Sequence, residues 1–171
     1  MKKTIIFAFF AVLAVMGAKA QKFALVDMEY IMKNIPAYEM ANEQLNQLSQ
    51  RWQKEVEVKG KEAENMYQSY LADKVFLTED QIKKREEAIV AKEKETTELR
   101  YKYFGPEGEL YQKRQSLLKP IQDDIYNAIK KVAQERGLQA VMDRASSSDI
   151  IYASPQIDIS NEVLNKLGYG K

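Results

Sequence analysis

Cysteine and histidine supply most nucleophiles, general bases and soft metal ligands near neutral pH, and neither occurs in this 171-residue sequence. Their absence removes Cys–His and Ser–His nucleophile systems and the ordinary zinc sites. Acid–base work would fall to carboxylates, lysine or tyrosine. The 25 acidic residues are interleaved with 26 basic ones, the pattern of a solvated helix surface rather than of carboxylates converging in a pocket. No catalytic residue, metal ligand or cofactor is therefore assigned, and the chain reads as a non-enzyme.

What remains is contact chemistry. Tyr67, Leu71, Phe76, Tyr101 and Phe104 are large apolar side chains in excess of what a helical seam requires. Met66 and Tyr70 share the region, and methionine suits loosely specified contacts. Together these seven are the candidate binding residues for an extended apolar partner. Met66, Tyr70 and Tyr103 equally fit seam positions, Trp52 fits one better than a surface role, and Phe76 could instead pack inside a turn.

The elements that position them are long helices. From Ala37 to about Arg136 the chain is rich in Glu, Lys, Gln, Leu and Ala, all good helix formers. Ala41, Leu45, Leu48, Trp52, Val56, Ala63, Met66 and Tyr70 recur at steps of three and four, with Lys59 in one seam position. Two consecutive fours around Trp52 form a stutter. The spacing predicts one helix of about 37 residues, about 55 Å long. Val75-Phe76-Leu77 ends it, and Thr78 with Gln81 forms a capping box for a return helix. That helix has a thin seam at Ile82, Ile89, Thr96 and Tyr103. Phe104-Gly-Pro-Glu-Gly108 breaks it, making Gly105, Pro106 and Gly108 a candidate hinge. The seam resumes at Tyr111, Leu118, Ile121, Ile125, Ala128 and Val132. Pro120 either kinks this segment or opens its last part.

Both ends of the chain read differently. Lys2 and Lys3, the apolar run from Ile5 to Met16 and Ala18-Lys19-Ala20 predict a signal peptide over residues 1–20, cleaved after Ala20. Removing its three lysines takes the formal charge from +1 to −2, so no nucleic-acid partner is expected. Lys22–Asp27, Leu138–Asp143 and Asp149–Ala153 are β-prone runs, the last two separated by a polar loop. Ser160 is placed as the cap of a short terminal helix closed by Gly168. The fold class expected is α+β, mostly α. Residues 22–37 and 138–171 form a small β-containing body, and residues 38–136 form an antiparallel coiled-coil hairpin projecting from it. The hairpin has its tip near 75–78 and a break near 105–108. A body this small favours oligomerisation, which also covers open strand edges.

The runs KFALVDMEYIMKNIP, AIKKVAQERGLQAVMD and DIIYASPQIDISNEVLNKLG, in this order around a charged helical hairpin, resemble the Skp (OmpH-like) family of periplasmic chaperones over essentially the whole chain beyond residue 20. The resemblance implies a homotrimer in the periplasm of a Gram-negative bacterium, acting as an ATP-independent holdase. Its arms would hold unfolded outer-membrane β-barrel proteins. By position it puts the oligomer interface on Phe23, Leu25, Val26, Val141, Met142, Ile150, Ile151 and Tyr152. One property departs from the family pattern. Asp73–Glu87 carries four basic and five acidic residues, so tips that meet a membrane surface through positive charge are not expected. The rival reading is a periplasmic coiled-coil tether or adaptor that docks end to end with a partner.

Overall fold

The structure is a computed structural model, described over residues 22–146 and 150–170. The expected signal peptide lies outside the described residues. By contacts the described residues divide into two compact units, one made of Ile35–Asp123 and the other of residues 22–34 together with the described residues from Asp124 onward.

The sheet-containing unit begins with β1 (Phe23–Val26) and α1 (Met28–Lys33). Asp27 caps α1, its carboxylate accepting the Tyr30 N–H at 2.8 Å, one of the donors that a helix start leaves unpaired. The unit resumes within α4, which spans Glu109–Arg136, and continues through β2 (Ala140–Asp143) to α5 (Ser160–Leu167). β1 and β2 pair in parallel, Phe23 opposite Ala140 through Val26 opposite Asp143. The helices α4 and α5 both end on a left-handed glycine, Gly137 (φ 65°) and Gly168 (φ 86°). A residue with a Cβ pays for that conformation, and glycine does not. Ala24, Leu25, Val26, Ile31, Ile125, Ala128, Val132, Ile159, Val163 and Leu164 form this unit's buried apolar set.

Three details differ from expectation. Ile150–Ser154 is not a strand. Asp158 bridges Leu25, and the Ile159 N–H donates to the Leu25 carbonyl at 2.9 Å, on the β1 edge away from β2. The chain therefore crosses over β1 after β2, and cannot fold back antiparallel along β2 as a hairpin would. The Ser160 hydroxyl does not cap α5. It is buried and accepts the Asp27 N–H at 2.8 Å, while the Asp158 carboxylate accepts the Ser160 N–H at 2.9 Å. Finally, α4 runs through Pro120 rather than starting there, and its last turns group with the sheet, although residues up to 136 were expected in the arm.

The second unit contains α2 (Pro36–Asp73), a 3-10 turn (Lys74–Phe76), α3 (Glu79–Phe104) and the first half of α4. Proline opens α2, where its missing N–H costs nothing. The 38 residues of α2 extend about 57 Å at the α-helical rise. The Thr78–Gln81 capping box starts α3 as expected.

Candidate functional site

The α2–α3 pair is an antiparallel hairpin whose cross-helix contacts change character along its length. Farthest from the turn, the rings of Trp52 and Tyr103 stack with centroids 4.8 Å apart and planes 7° from parallel. The Tyr103 hydroxyl donates to Glu55 at 3.0 Å. Burial, reinforced by that carboxylate, raises the Tyr103 pKa above the usual phenol value. In the middle the contacts are ionic, Lys59 to Glu95 at 3.3 Å and Lys92 to Glu62 at 2.9 Å. Near the turn, the Tyr70 hydroxyl bonds Glu86, Lys74 lies 5.1 Å over the Tyr70 ring, and Arg85 pairs with Asp73 at 3.3 Å.

This geometry sorts the candidate binding residues. Tyr70, 3% exposed, belongs to the seam and is not available to a partner; its hydroxyl is drawn inward by Glu86. Met66 is half-buried. Tyr67, Leu71, Tyr101 and Phe104 are exposed, and Phe76 at the turn is 85% exposed, so it does not pack inside that turn. Trp52 is half-buried in its stack, as its seam position implied.

Val75 (82% exposed) and Val90 (62% exposed) were missed by a search that considered no valine. Val90 was legible as an apolar residue one step off the Ile89 seam, and Val75 as the first of three apolar residues interrupting a charged run. Tyr67 and Leu71 are spaced by four along α2, and residues four apart share a helix face; Val75 follows in the 3-10 turn.

Two open grooves flank the stacked rings. One, of about 650 Å³, is lined by Ser49, Gln53, Val56, Glu57, Arg100 and Phe104. The other, of about 530 Å³, is lined by Leu48, Trp52, Glu109, Gln112, Lys113 and Ser116. Each offers one carboxylate, whereas paired acid–base catalysis needs two at a set separation. Both mix aliphatic stems, aromatic faces and mobile polar groups, a lining suited to adaptable contact rather than to one fixed ligand.

The junction at Gly105, Pro106 and Gly108 is closely bonded. The Gly105 N–H donates to Tyr101 at 2.8 Å and the Gly108 N–H to Gly105 at 2.9 Å, while Lys102 pairs with Glu109 at 3.3 Å across the break. In the sheet unit, Leu25 and Val26 are each 2% exposed. They are used by the chain's own core, which corrects their placement in an oligomer interface. Phe23, Met142, Ile151 and Tyr152 are exposed, and Val141 and Ile150 half-buried.

A family model described as outer membrane protein (OmpH-like) matches residues 22–167, from β1 to the end of α5. The chain belongs to the OmpH-like family. A solved structure of a proposed outer-membrane chaperone, OmpH-like, from Caulobacter crescentus CB15 shares the fold. Its TM-score is 0.69 at 16% identity, covering 88% of this chain and 86% of that one. No curated protein matches the sequence. The OmpH-like fold thus accounts for the whole described order of elements, a two-stranded parallel sheet whose strands are separated in sequence by the helical hairpin.

Proposed function

We propose that this OmpH-like protein is a chaperone of the holdase type, which binds unfolded outer-membrane β-barrel proteins and keeps them from aggregating without ATP. The observation that carries the reading is the exposed apolar set of the hairpin, Tyr67, Leu71, Val75 and Phe76 with Val90 and Tyr101, set among charges that are largely paired with one another. A folded protein gains nothing from such exposure, and clusters of exposed apolar side chains, such as the one around the turn at Leu71, Val75 and Phe76, mark interaction surfaces. Many weak contacts hold chains of differing sequence, where one tight pocket would select a single partner. Neighbouring ion pairs keep the loaded surface soluble.

Family membership supports action in the periplasm of a Gram-negative bacterium, and the Lys2-Lys3, apolar-run and Ala18-Lys19-Ala20 pattern supports export with cleavage after Ala20. It supports assembly as a homotrimer, for which Phe23, Met142, Ile151 and Tyr152 are the available contact side chains. Leaving Ile151 and Tyr152 in water is costly to a lone chain, and association relieves that cost. Among the described residues no helix is long and apolar enough to cross a membrane.

The test is dilution of a urea-unfolded β-barrel membrane protein into buffer with the purified chain, followed by light scattering. Stoichiometric suppression is expected, and it should weaken in a Val75→Ser/Phe76→Ser variant with unchanged melting temperature. Absence of suppression by the unaltered protein would refute the holdase reading and leave the end-to-end tether.

A further inference from the structure

The middle of the α2–α3 hairpin has only a thin apolar seam. Between Val56 and Ile89 the fully buried positions are small, Ala63 on α2 and Thr96 on α3, with Gly60, Met66 and Leu99 half-buried beside them. A Cβ built on Gly60 would meet the Thr96 methyl at 3.8 Å, so the helices are not pressed together by bulk. The Thr96 hydroxyl is turned back to the Lys92 carbonyl of its own helix at 2.9 Å and contributes no cross-helix bond. Small buried side chains contribute little hydrophobic free energy, because that term scales with the area removed from water.

Lys59 and Lys92 stand at half-buried inward positions where apolar side chains would be expected, and Glu62 and Glu95 flank them. Lys59 reaches Glu95 at 3.3 Å and Glu62 at 3.6 Å. Lys92 reaches Glu62 at 2.9 Å and Glu95 at 3.0 Å. Each lysine therefore touches both carboxylates, and each carboxylate is shared between helices. The lysines are the more sheltered members, with side chains 31% and 21% exposed. A closed quartet orders four side chains for four contacts, so each contact costs less side-chain entropy than an isolated surface pair. Lys92 holds both Glu62 and Glu95 below the usual carboxylate range, and is itself raised above the usual lysine value by Glu62 and Glu95. Neighbouring pairs such as Lys61–Glu57 and Lys94–Glu98 lie within one helix and join nothing across the hairpin.

We infer that Lys59, Glu62, Lys92 and Glu95 form an ionic latch that holds the two helices together at mid-hairpin, so that ionic strength sets how readily the segment between the latch and the turn opens. On the other side of the latch the Trp52–Tyr103 stack is held by ring contact, which salt does not screen. Toward the turn the buried contacts are Ala63, Ile89 and Tyr70, beside half-buried Met66 and Ile82, and the Arg85–Asp73 and Lys74–Glu86 pairs there weaken with salt as the latch does. The latch thus divides the arm into a salt-insensitive root and a salt-gated end, whatever that end binds.

The test is hydrogen exchange by mass spectrometry on the unaltered assembled protein, between about 0.1 M and about 1 M NaCl, where the screening length falls from about 10 Å to about 3 Å. Peptides covering 60–73 and 82–96 are expected to exchange about three- to tenfold faster at the higher salt, from the usual scale of partly exposed ion pairs. Peptides around Trp52 and Tyr103 should hold. Lys59→Gln/Lys92→Gln should exchange fast at both salts, and the fourfold reversal Lys59→Glu/Glu62→Lys/Lys92→Glu/Glu95→Lys should recover the salt response. Lys94→Gln, which removes only an intrahelical pair, should behave as the unaltered protein. An unchanged salt response in Lys59→Gln/Lys92→Gln, or an equal response around Trp52, overturns the latch.

Discussion

Replacing Gly60 by alanine tests the slack at mid-hairpin directly. Gly60 lies inside α2, and the positive-φ glycines are Gly137 and Gly168, so its backbone is one that alanine adopts without strain. Glycine in a helix interior is less favourable than alanine by about 0.5–1 kcal/mol, because its unfolded chain is freer. The added methyl would sit 3.8 Å from the Thr96 methyl, an ordinary contact that costs nothing and buries a little more apolar area. The two terms have the same sign and together amount to about 1 kcal/mol. For a chain of this size that raises the melting temperature by about 2–4 °C. It slows exchange of the amides around residues 57–66 by about fivefold. Thermal circular dichroism and hydrogen exchange, both at one fixed protein concentration because assembly shifts apparent stability, read the outcome. A lower melting temperature, or faster exchange at 57–66, would mean that the helices meet more tightly at Gly60 than the 3.8 Å separation allows, and would refute the account of a slack seam.

Two further outcomes follow from the geometry. A Cβ on Gly108 would lie 2.9 Å from each of three backbone atoms, Gly105 N, Lys102 O and Tyr103 O; Gly108→Ala should therefore destabilise the α3–α4 junction by about 1–3 kcal/mol, seen as a lower melting temperature. An unaffected melt would mean that the junction is loose enough to serve as the hinge its sequence suggested. The pH profile should show losses on both sides. Glu62 and Glu95 titrate below their ordinary value of 4.5, so their contribution is complete above about pH 5 and lost as pH falls through the lowered folded values. Tyr103 titrates above its ordinary value of 10.0, so its contribution is complete below that pH and lost as pH rises through the raised value. Melting curves across pH check both arms, and in Lys92→Gln the acid-side dependence should shrink.

Much of this protein could be read from local chemistry. The Thr78–Gln81 capping box, the breaks at Phe76 and Gly105 and the stop at Gly168 each depend on residues within about one turn of each other, and each stands where the sequence placed it. The heptad-like spacing likewise identified Ala41, Leu45, Val56, Ala63, Tyr70, Ile89 and Tyr103 as inward-facing, because helical periodicity is a property of the chain itself. The exposed candidates of the hairpin, above all Phe76, were legible for the same reason: they fall off that period.

Tertiary structure decided what distant segments do to one another. Asp149–Ala153 has strand composition, but the path of its described residues from Ile150 is set by Asp158 bridging Leu25, residues more than a hundred positions apart. Ser160 looked like a cap by position and became a buried acceptor for the Asp27 N–H, 133 residues away. Leu25 and Val26 looked like interface residues and are instead enclosed by the chain's own packing. The latch needed both helices in register before its four charges could be told from the other charges of a solvated surface. Periodicity determines which face of a helix turns inward, and only packing determines what that face meets.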